Sequence, residues 1–178
     1  FYVSKPMATP PPVFKTETQQ HIYETLQNLG IRFERVDTDD GSTMEDCIYI
    51  SEGLGCPVVK TIFVCNRQQT KFYLFVTTAE KPFITKDFCG ALGISRVSFA
   101  PVDMLLEKLG TQMGATTLLS LINDNNNEIT AVIDREVAER EMFACTDGTA
   151  HCFMKIKMKD VFEKYLPFTK HEAVVIQV

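Results

Sequence analysis

The sequence predicts an α/β (α+β) domain in which a mixed, largely antiparallel sheet is flanked by helices. The chain has 178 residues, the usual size of one domain, so one hydrophobic core is expected. Apolar residues make up 45% of the chain and charged residues 23%, as in ordinary globular proteins. Helical and extended patterns alternate irregularly, which argues against a doubly wound parallel fold.

The first half of the chain begins with a proline-rich segment. Residues 1–16 lack periodic apolar residues, which predicts a flexible leader before a domain spanning residues 17–178. From Glu17 to Leu29 the apolar spacing predicts a helix, because a stop glycine follows. Ile31–Val36 alternates apolar and charged residues and predicts a strand.

The next elements are a helix and a hairpin. Ser42–Glu45 has the capping-box order and predicts a helix running toward Gly53, with Ile48 facing the core. Two apolar runs, Val58–Cys65 and Phe72–Thr77, are joined by a polar segment, which predicts a central hairpin.

The middle of the chain predicts two further helices and a second hairpin. Helices are expected at Thr85–Leu92 and Pro101–Leu109, each ended by a glycine, with a short strand at Val97–Phe99 between them. Leu118–Ile122 and Ile129–Ile133 flank an Asp/Asn-rich turn and are expected to pair as a hairpin.

The last third predicts a strand near Met142–Phe143, another at Cys152–Ile156, a helix at Met158–Tyr165 and a final strand at Ala173–Val178.

Several function classes lose support from the composition. The six cysteines form no CxxC pair and show no zinc-type spacing, and GxGxxG, P-loop, GxSxG and HExxH motifs are absent. We therefore expect no metal and no cofactor. No apolar run is long enough to span a membrane and no secretory hydrophobic region opens the chain, which predicts a cytoplasmic protein. With a net charge of -5, any RNA contact must be a local basic patch.

Three histidines are the candidates for acid–base chemistry. His21 in the first helix and His171 in a polar loop are expected to be solvated surface residues. His151 follows the turn Asp147–Ala150 beside a predicted strand, a place where catalytic groups often lie. A functional role and an ordinary exposed or hydrogen-bonded histidine both remain open for it.

Segments in a characteristic order carry a resemblance over about residues 17–178. The first segments are a helix that ends in glycine-isoleucine and leads into a strand (Gly30–Val36), and a helix that begins with threonine (Thr43–Asp46). A strand that carries a lysine follows (Val58–Val64). The last two are a strand with serine-phenylalanine-alanine (Leu92–Ala100) and a glycine loop (Gly114–Leu118). Together they resemble the YbaK and prolyl-tRNA-synthetase-associated editing-domain family.

The resemblance implies an aminoacyl-tRNA deacylase that hydrolyses a small, wrongly attached amino acid, typically alanine on tRNA-Pro. The family's proteins are freestanding or are domains of prolyl-tRNA synthetase. The implied partners are therefore mischarged tRNA and prolyl-tRNA synthetase, in cis or in trans.

The resemblance also implies site residues. Lys60 is the expected catalytic lysine, because an ammonium beside the pocket can bind the terminal phosphate or hold the substrate's carbonyl and ribose. An ordinary solvent-facing strand lysine is the alternative. Gly114 opens a loop whose N–H groups can cradle the ester carbonyl, the alternative being a plain turn into a strand. The residues expected to line a small amino-acid pocket are Ala115, Thr116, Thr117 and Leu118, of which Leu118 replaces the family's loop proline.

A second departure concerns the family's Phe-His-Pro segment. From Phe143 onward the histidine position is taken by Ala144, or by Thr146 if a gap lies earlier. The expected substitutes are His151, Thr146 or Asp147, or the 2′-hydroxyl of the tRNA with bound water. Thr149 takes the place of the family's threonine and is expected to contact substrate.

Alternating lysines supply the candidate RNA contact. Lys155, Lys157 and Lys159 are expected on one face of a strand, where they either bind RNA or form a charged edge that blocks strand pairing. Further cations extend this surface if folding gathers them, namely Lys60, Arg67, Lys71 and Lys81.

Two other functions stay open because the histidine and the loop proline are missing. One is a non-catalytic tRNA-binding or assembly module on the same fold, and the other is hydrolysis of a different small aminoacyl ester.

Overall fold

The computed structural model describes residues 1–178, which form two β-sheets surrounded by helices. The strands are β1 Glu34–Asp37, β2 Val59–Asn66, β3 Phe72–Thr78, β4 Val97–Phe99, β5 Ile129–Asp134, β6 Met142–Thr146, β7 Cys152–Lys157 and β8 Val174–Ile176. The helices are α1 Glu17–Asn28, α2 Met44–Leu54, α3 Thr85–Leu92, α4 Val102–Met104, α5 Arg135–Ala138, α6 Met158–Asp160 and α7 Leu166–Phe168. Leu105–Leu109 and Val161–Tyr165 are π-helical, and Leu118–Asn123 is a 3₁₀ helix.

The sheet topology confirms the predicted fold class. The smaller sheet has the order β1-β7-β6 and the larger one β4-β2-β3-β5-β8. Neighbours pair antiparallel at four of the six contacts and parallel at β3-β5 and β5-β8. The central hairpin, α1, α3 and β4 are confirmed at the predicted positions. No helix has both the length and the apolar character that a membrane crossing requires.

Three apolar clusters explain why these elements pack together. The main core joins α1, the 3₁₀ helix and residues from both sheets, including Leu26, Leu74 and Phe143. A second cluster lies under α3, and a third joins α2 to the smaller sheet through Ile50 and Leu54. Successive side chains of a strand point to opposite faces of the sheet, so these clusters cover both faces of the sheets.

The two sheets meet at the beginning of β2. Val58, just before β2, pairs with Ala144 on β6 of the smaller sheet in a single parallel bridge. Lys60, two residues later, therefore lies at the junction between the sheets.

The predicted second hairpin is wrong. Leu118–Asn123 is a 3₁₀ helix capped by the Thr117 hydroxyl, which accepts a hydrogen bond from the Leu119 N–H at 3.2 Å. β5 instead pairs parallel with β3 and β8. Short apolar runs do not distinguish a buried strand from a buried helical turn, because both are covered on all sides.

The expected details of α2 also need correction. The capping box is formed by Thr43 and Asp46 rather than by Ser42 and Glu45. Ile48, predicted to face the core, is 60% exposed, whereas Ile50 is fully buried. The helix begins one residue later than predicted, and Ile50 and Leu54, four residues apart, share its inward face.

The proline-rich leader lies beside β1. Met7 and Arg35 exchange two backbone hydrogen bonds of 2.8 Å. The Arg35 guanidinium donates to the carbonyl oxygens of Thr9 and Pro10 and binds Asp37 at 2.7 Å. These contacts give the buried arginine its partners.

His171 is buried, so its predicted place on the surface is wrong. Its Nε2 lies 2.7 Å from Asp124 Oδ2, and its Nδ1 is 2.9 Å from Thr169 Oγ1. Burial opposes ionisation of Asp124, but the hydrogen bonds from His171 and from two backbone N–H groups outweigh it and lower the pKa of Asp124. His21 is exposed on α1, as predicted.

Candidate functional site

A cavity of about 250 Å³ lies at the junction of the sheets. Five separate chain segments line it: the start of α2, the start of β2, the residue after β3, the glycine loop and the β6–β7 hairpin. Its lining residues are Gly41, Ser42, Thr43, Met44, Cys47, Val58, Val59, Lys60, Thr61, Ala79, Gly114, Thr116, Thr146 and Phe153. Four of the residues predicted to form the site are thereby brought together, namely Lys60, Gly114, Thr116 and Thr146.

Lys60 supplies the positive charge of this cavity. Its side chain is partly buried, and its ammonium donates to the carbonyl oxygen of Lys81. Burial lowers the pKa of Lys60, and the nearby Glu80 carboxylate opposes that shift without cancelling it. An ammonium has three N–H donors, so two remain for a ligand.

The loop that holds the Lys60 ammonium is fixed by a second lysine. Lys81 Nζ binds Asp134 Oδ2 at 2.7 Å, the Val178 carbonyl oxygen at 2.8 Å and Glu136 Oε1 at 3.1 Å. Thr77, the cross-strand partner of Lys60, donates to the same Asp134 oxygen at 2.7 Å. Asp134 therefore ties β3, β5 and the loop after β3 to one another.

The glycine loop contributes backbone rather than side-chain chemistry. Gly114 has a φ of 85°, a conformation that favours glycine, and its N–H makes no hydrogen bond within the protein. Thr116 lines the cavity beside it, but Thr117 and Leu118 are completely buried and do not reach the cavity. Leu118 packs in the main core.

The β6–β7 turn is a closed hydrogen-bond network. The Thr146 hydroxyl donates to the Thr149 carbonyl oxygen and accepts from the Gly148 N–H at 3.2 Å, so its proton is already engaged. Asp147 has no exposed surface, and it accepts hydrogen bonds from Gln19, Tyr23 and Thr149. Burial raises the pKa of Asp147, and the hydrogen bonds, which lower it, do not cancel this effect. Asp147 thus anchors the turn to α1 and does not line the cavity.

His151 and Thr149 lie in a neighbouring cavity of about 750 Å³, together with Ala115. The two cavities share Ser42. A Cβ atom added at Gly114 would lie 3.8 Å from the Cβ of Ser42, so the two residues are neighbours. The structure therefore does not bring His151 into the same cavity as Lys60.

One thiol, Cys47, lines the Lys60 cavity. Burial and the neighbouring Asp46 carboxylate raise the pKa of Cys47, which keeps it a neutral thiol at pH 7. The neutral Cys47 thiol is therefore a weak nucleophile at pH 7.

The predicted basic surface is divided. Lys155 and Lys157 line a groove of about 860 Å³ with Arg32, but Lys155 already donates to the Leu54 carbonyl oxygen at 2.6 Å. Lys159 is not on the strand, since β7 ends at Lys157 and Lys159 belongs to α6. Folding does not gather the four further cations on this surface, because Lys60 and Lys81 lie at one end of the β2–β3 hairpin and Arg67 and Lys71 at the other.

Several lining residues were missed by sequence reasoning. Phe153 and Ala79 are ordinary residues of strand sequences and carry no local signal. Gly41 is a point of close approach, because a Cβ there would lie 2.7 Å from Ile50 and 2.9 Å from Phe153. The capping signal at Ser42–Glu45 located the start of α2 but not its position beside Lys60.

These observations describe a small cavity on a two-sheet α/β fold, lined by one lysine, four threonines and a glycine whose N–H makes no hydrogen bond within the protein. The sequence matches the model of the aminoacyl-tRNA editing domain family over residues 39–164, well over half of the chain. The chain therefore belongs to the aminoacyl-tRNA editing domain family, of the YbaK and ProX type.

Similar proteins agree with this classification. The prolyl-tRNA synthetase associated domain-containing protein 1 of Danio rerio is 25% identical over 166 residues, covering 92% of this chain and 89% of that protein. The prolyl-tRNA editing protein ProX of Acetoanaerobium sticklandii is 24% identical over 128 residues, covering 72% and 78%. A crystal structure described as a candidate trans-editing enzyme for prolyl tRNA synthetase shares the fold, with a TM-score of 0.66, 13% identity and coverage of 93% and 99%.

Proposed function

We propose that this protein is an editing deacylase that hydrolyses a small amino acid from mischarged tRNA, with alanine on tRNA-Pro as the first substrate to test. The observation that carries the proposal is the meeting of Lys60, Gly114 and Thr116 in one cavity of about 250 Å³. Family membership supports the reaction class, and the small volume supports a small side chain.

The proposed chemistry is ester hydrolysis with little side-chain acid–base assistance. Water adds to the ester carbonyl, the bond from the carbonyl carbon to the ribose oxygen breaks, and that oxygen takes up a proton. The free Gly114 N–H and the Lys60 ammonium are suited to stabilise the negative charge that develops on the carbonyl oxygen. The ribose 2′-hydroxyl is the proposed means of positioning the water, since no histidine lines this cavity.

The test is hydrolysis of a panel of mischarged tRNAs by the wild-type protein and by Lys60→Ala. We expect turnover of Ala-tRNA-Pro that falls by about 100-fold or more in Lys60→Ala, the usual effect of losing one charge-stabilising group. Thermal unfolding of both proteins checks that the variant is folded.

Lys86→Ala is the control, because Lys86 is an exposed lysine on α3 that lines neither the Lys60 cavity nor the groove with Arg32. Its turnover is expected to equal that of the wild-type protein. Absence of hydrolysis for every tRNA in the panel, together with measurable tRNA binding, would contradict the deacylase proposal.

The second candidate is a tRNA-binding or assembly module without catalytic activity. A specific observation favours it: the Thr146 hydroxyl is engaged within its own turn and His151 lies in another cavity. In that case Lys60→Ala weakens tRNA binding, and no hydrolysis is seen at any enzyme concentration.

The proposed partners are mischarged tRNA and prolyl-tRNA synthetase, in cis or in trans, in the cytoplasm. The names of the similar proteins support the synthetase as a partner. Lys155 and Lys157, with Arg32 beside them, are the proposed phosphate contacts, whereas Lys159 lies apart from this groove.

A further inference from the structure

A groove of about 530 Å³, at the end of the β2–β3 hairpin opposite Lys60, takes no part in the chemistry proposed above. Three cations line it, Arg67, Lys71 and Arg96, and no aspartate or glutamate does. None of the three forms an ion pair within 4.0 Å. In a chain with a net charge of -5, this groove is therefore a positive surface that the protein itself does not neutralise.

The strand register explains why the three cations lie side by side. β2 pairs with β4 up to Asn66 and Val97, so Arg67 and Arg96 are the next residues beyond the same end of that ladder. On the other side of β2, the Asn66 N–H donates to the Lys71 carbonyl oxygen at 3.1 Å. The cations therefore come from three neighbouring chain segments at one end of the larger sheet.

The backbone that carries these cations is fixed on both sides of the groove. In the hairpin turn, the Asn66 side-chain oxygen accepts from the N–H groups of Thr70 and Lys71 at 2.8 and 3.0 Å. On the other side, the loop after α3 is closed by the Ile94 N–H, which donates to the Cys89 carbonyl oxygen at 3.1 Å. Little backbone ordering is therefore required when an anion binds.

Neutral donors line the same groove. Tyr73 is 9% exposed, yet its hydroxyl makes no hydrogen bond within the protein. Its ring packs edge-on against Phe88, with the ring centroids 6.1 Å apart. Gln68 and Ser95 are exposed, and their side chains have no hydrogen-bond partner within the protein. A ligand in this groove therefore meets positive charge together with unpaired O–H and N–H donors.

This combination of groups is suited to the phosphates of a polymer. A guanidinium binds phosphate oxygens through paired N–H donors, and an ammonium binds them as a point charge. Since Arg67, Lys71 and Arg96 are all exposed, the groove contacts one side of a ligand and does not enclose it, as pockets for small molecules do. A chain that carries phosphates along its length fits such an open groove better than a small metabolite does.

The distance from the Lys60 cavity also suits a polymer. Lys60 is the second residue of β2 and Asn66 is the last, so a rise of about 3.3 Å per residue separates them by about 20 Å. A substrate whose ester lies at Lys60 therefore reaches Arg67 only through nucleotides remote from its 3′ end.

We propose that Arg67, Lys71 and Arg96 form a phosphate-binding site for the sugar–phosphate backbone of the RNA substrate, remote from the Lys60 cavity. The inference rests on the proposed function and deepens it, because it names a surface that holds the body of the RNA. The site contributes affinity for RNA and leaves the ester chemistry unchanged.

The first experiment measures binding and does not require catalysis. In Arg67→Gln and in Arg96→Gln, the slope of log K against log salt for uncharged tRNA is expected to fall in magnitude by about 0.7–0.9, the effect of one lost phosphate contact. Lys86→Gln is the matched control, because Lys86 is an exposed lysine on α3 that does not line the groove. Slopes in both arginine variants equal to that of Lys86→Gln overturn the inference.

The second experiment compares a long substrate with a short one. Arg67→Gln is expected to raise KM for Ala-tRNA-Pro severalfold at an unchanged kcat. Hydrolysis of the alanine ester of adenosine should not change, because this ester is too short to span about 20 Å. An equal loss on both substrates contradicts the inference.

The two experiments separate this inference from the deacylase proposal. Altered slopes without hydrolysis in any protein leave the phosphate site standing and remove the deacylase. Hydrolysis with an unchanged slope and an unchanged KM has the opposite meaning.

A third experiment distinguishes RNA from a small anion as the source of the phosphate. Inorganic phosphate and uncharged tRNA are titrated separately into the isotope-labelled protein, and the NMR signals of Arg67 and Arg96 are followed. Micromolar tRNA is expected to shift these signals, whereas inorganic phosphate does so only at millimolar concentration. Saturation by micromolar phosphate, with no shift from tRNA, would assign the groove to a small anion and overturn the inference.

Discussion

At the scale of single residues, the environment of Lys60 determines what its charge can do. The ammonium is partly removed from water and is held by one carbonyl oxygen, that of Lys81. Partial burial strengthens its interaction with a developing negative charge, because the local dielectric constant is lower than that of bulk water. The same burial disfavours the charged form and lowers the pKa of Lys60.

A pH profile follows from this shift. Activity that requires the ammonium is present at low and neutral pH, and it is lost as the pH rises through the lowered pKa of Lys60, below the ordinary value of 10.5. In Lys60→Arg the residual activity should not show this alkaline loss, since a guanidinium stays charged throughout the range. Initial rates, corrected for uncatalysed ester hydrolysis, measure both profiles, and identical alkaline limbs in the two proteins would exclude Lys60 as the titrating group.

At the scale of secondary-structure elements, the segment after β3 positions the Lys60 ammonium. Lys81 supplies the accepting carbonyl oxygen, while its own ammonium is bound by Asp134 at the end of β5. Burial opposes ionisation of Asp134, but the hydrogen bonds from Lys81 and Thr77 prevail and lower its pKa. The end of β5 therefore fixes the geometry of a residue on β2.

Asp134→Asn tests this coupling. Removing the charge leaves Lys81 without its buried partner, so we expect the free energy of unfolding to decrease by about 1–3 kcal/mol. We also expect kcat for mischarged tRNA to decrease about tenfold, with an unchanged Kd for uncharged tRNA, because the ammonium is displaced and the RNA contacts are not. Denaturant titration, turnover and filter binding measure the three quantities.

Glu136→Gln is the control for this prediction. Its carboxylate also contacts Lys81, at 3.1 Å, but its side chain is 65% exposed. Exposed ion pairs contribute little, so stability and kcat should both remain at wild-type values. A kcat that is unchanged in Asp134→Asn, despite lower stability, would mean that Asp134 has only a structural role.

At the scale of the whole molecule, a chain with a net charge of -5 must bind RNA through a restricted surface. The groove with Arg32, Lys155 and Lys157 is one of two local concentrations of cations beside a cavity, and Glu34 lies 3.8 Å from Lys155. Arg67, Lys71 and Arg96 line the other. Arg32 and Lys157 are exposed and form no ion pair within 4.0 Å. They are available to phosphate.

Salt dependence tests the groove. If Lys157 contacts one phosphate, Lys157→Gln reduces the magnitude of the slope of log K against log salt by about 0.7–0.9 for uncharged tRNA. Lys159→Gln should leave the slope unchanged, because Lys159 lies on α6 outside the groove. Fluorescence titrations at several salt concentrations give both slopes, and equal effects of the two substitutions would contradict a phosphate contact specific to the groove.

The sequence by itself determined the local structure and the family. Helix ends at Gly30 and Gly93, the β2–β3 hairpin and the strand β4 follow from patterns within about ten residues, because capping and strand alternation are local interactions. The order of weak motifs was sufficient to identify the editing-domain family, which the match over residues 39–164 confirms. The same order of motifs identified Lys60 as the candidate catalytic lysine.

The tertiary structure alone decided which residues meet. The partner of His171 is 47 residues away, the partners of Asp147 on α1 are more than 120 residues away, and β5 pairs with β3 across α3, β4 and α4. Such contacts depend on how whole elements pack, and no local period in the chain records them. For the same reason the sequence could propose Lys60 and His151 together, but only the folded chain places them in adjacent cavities rather than in one.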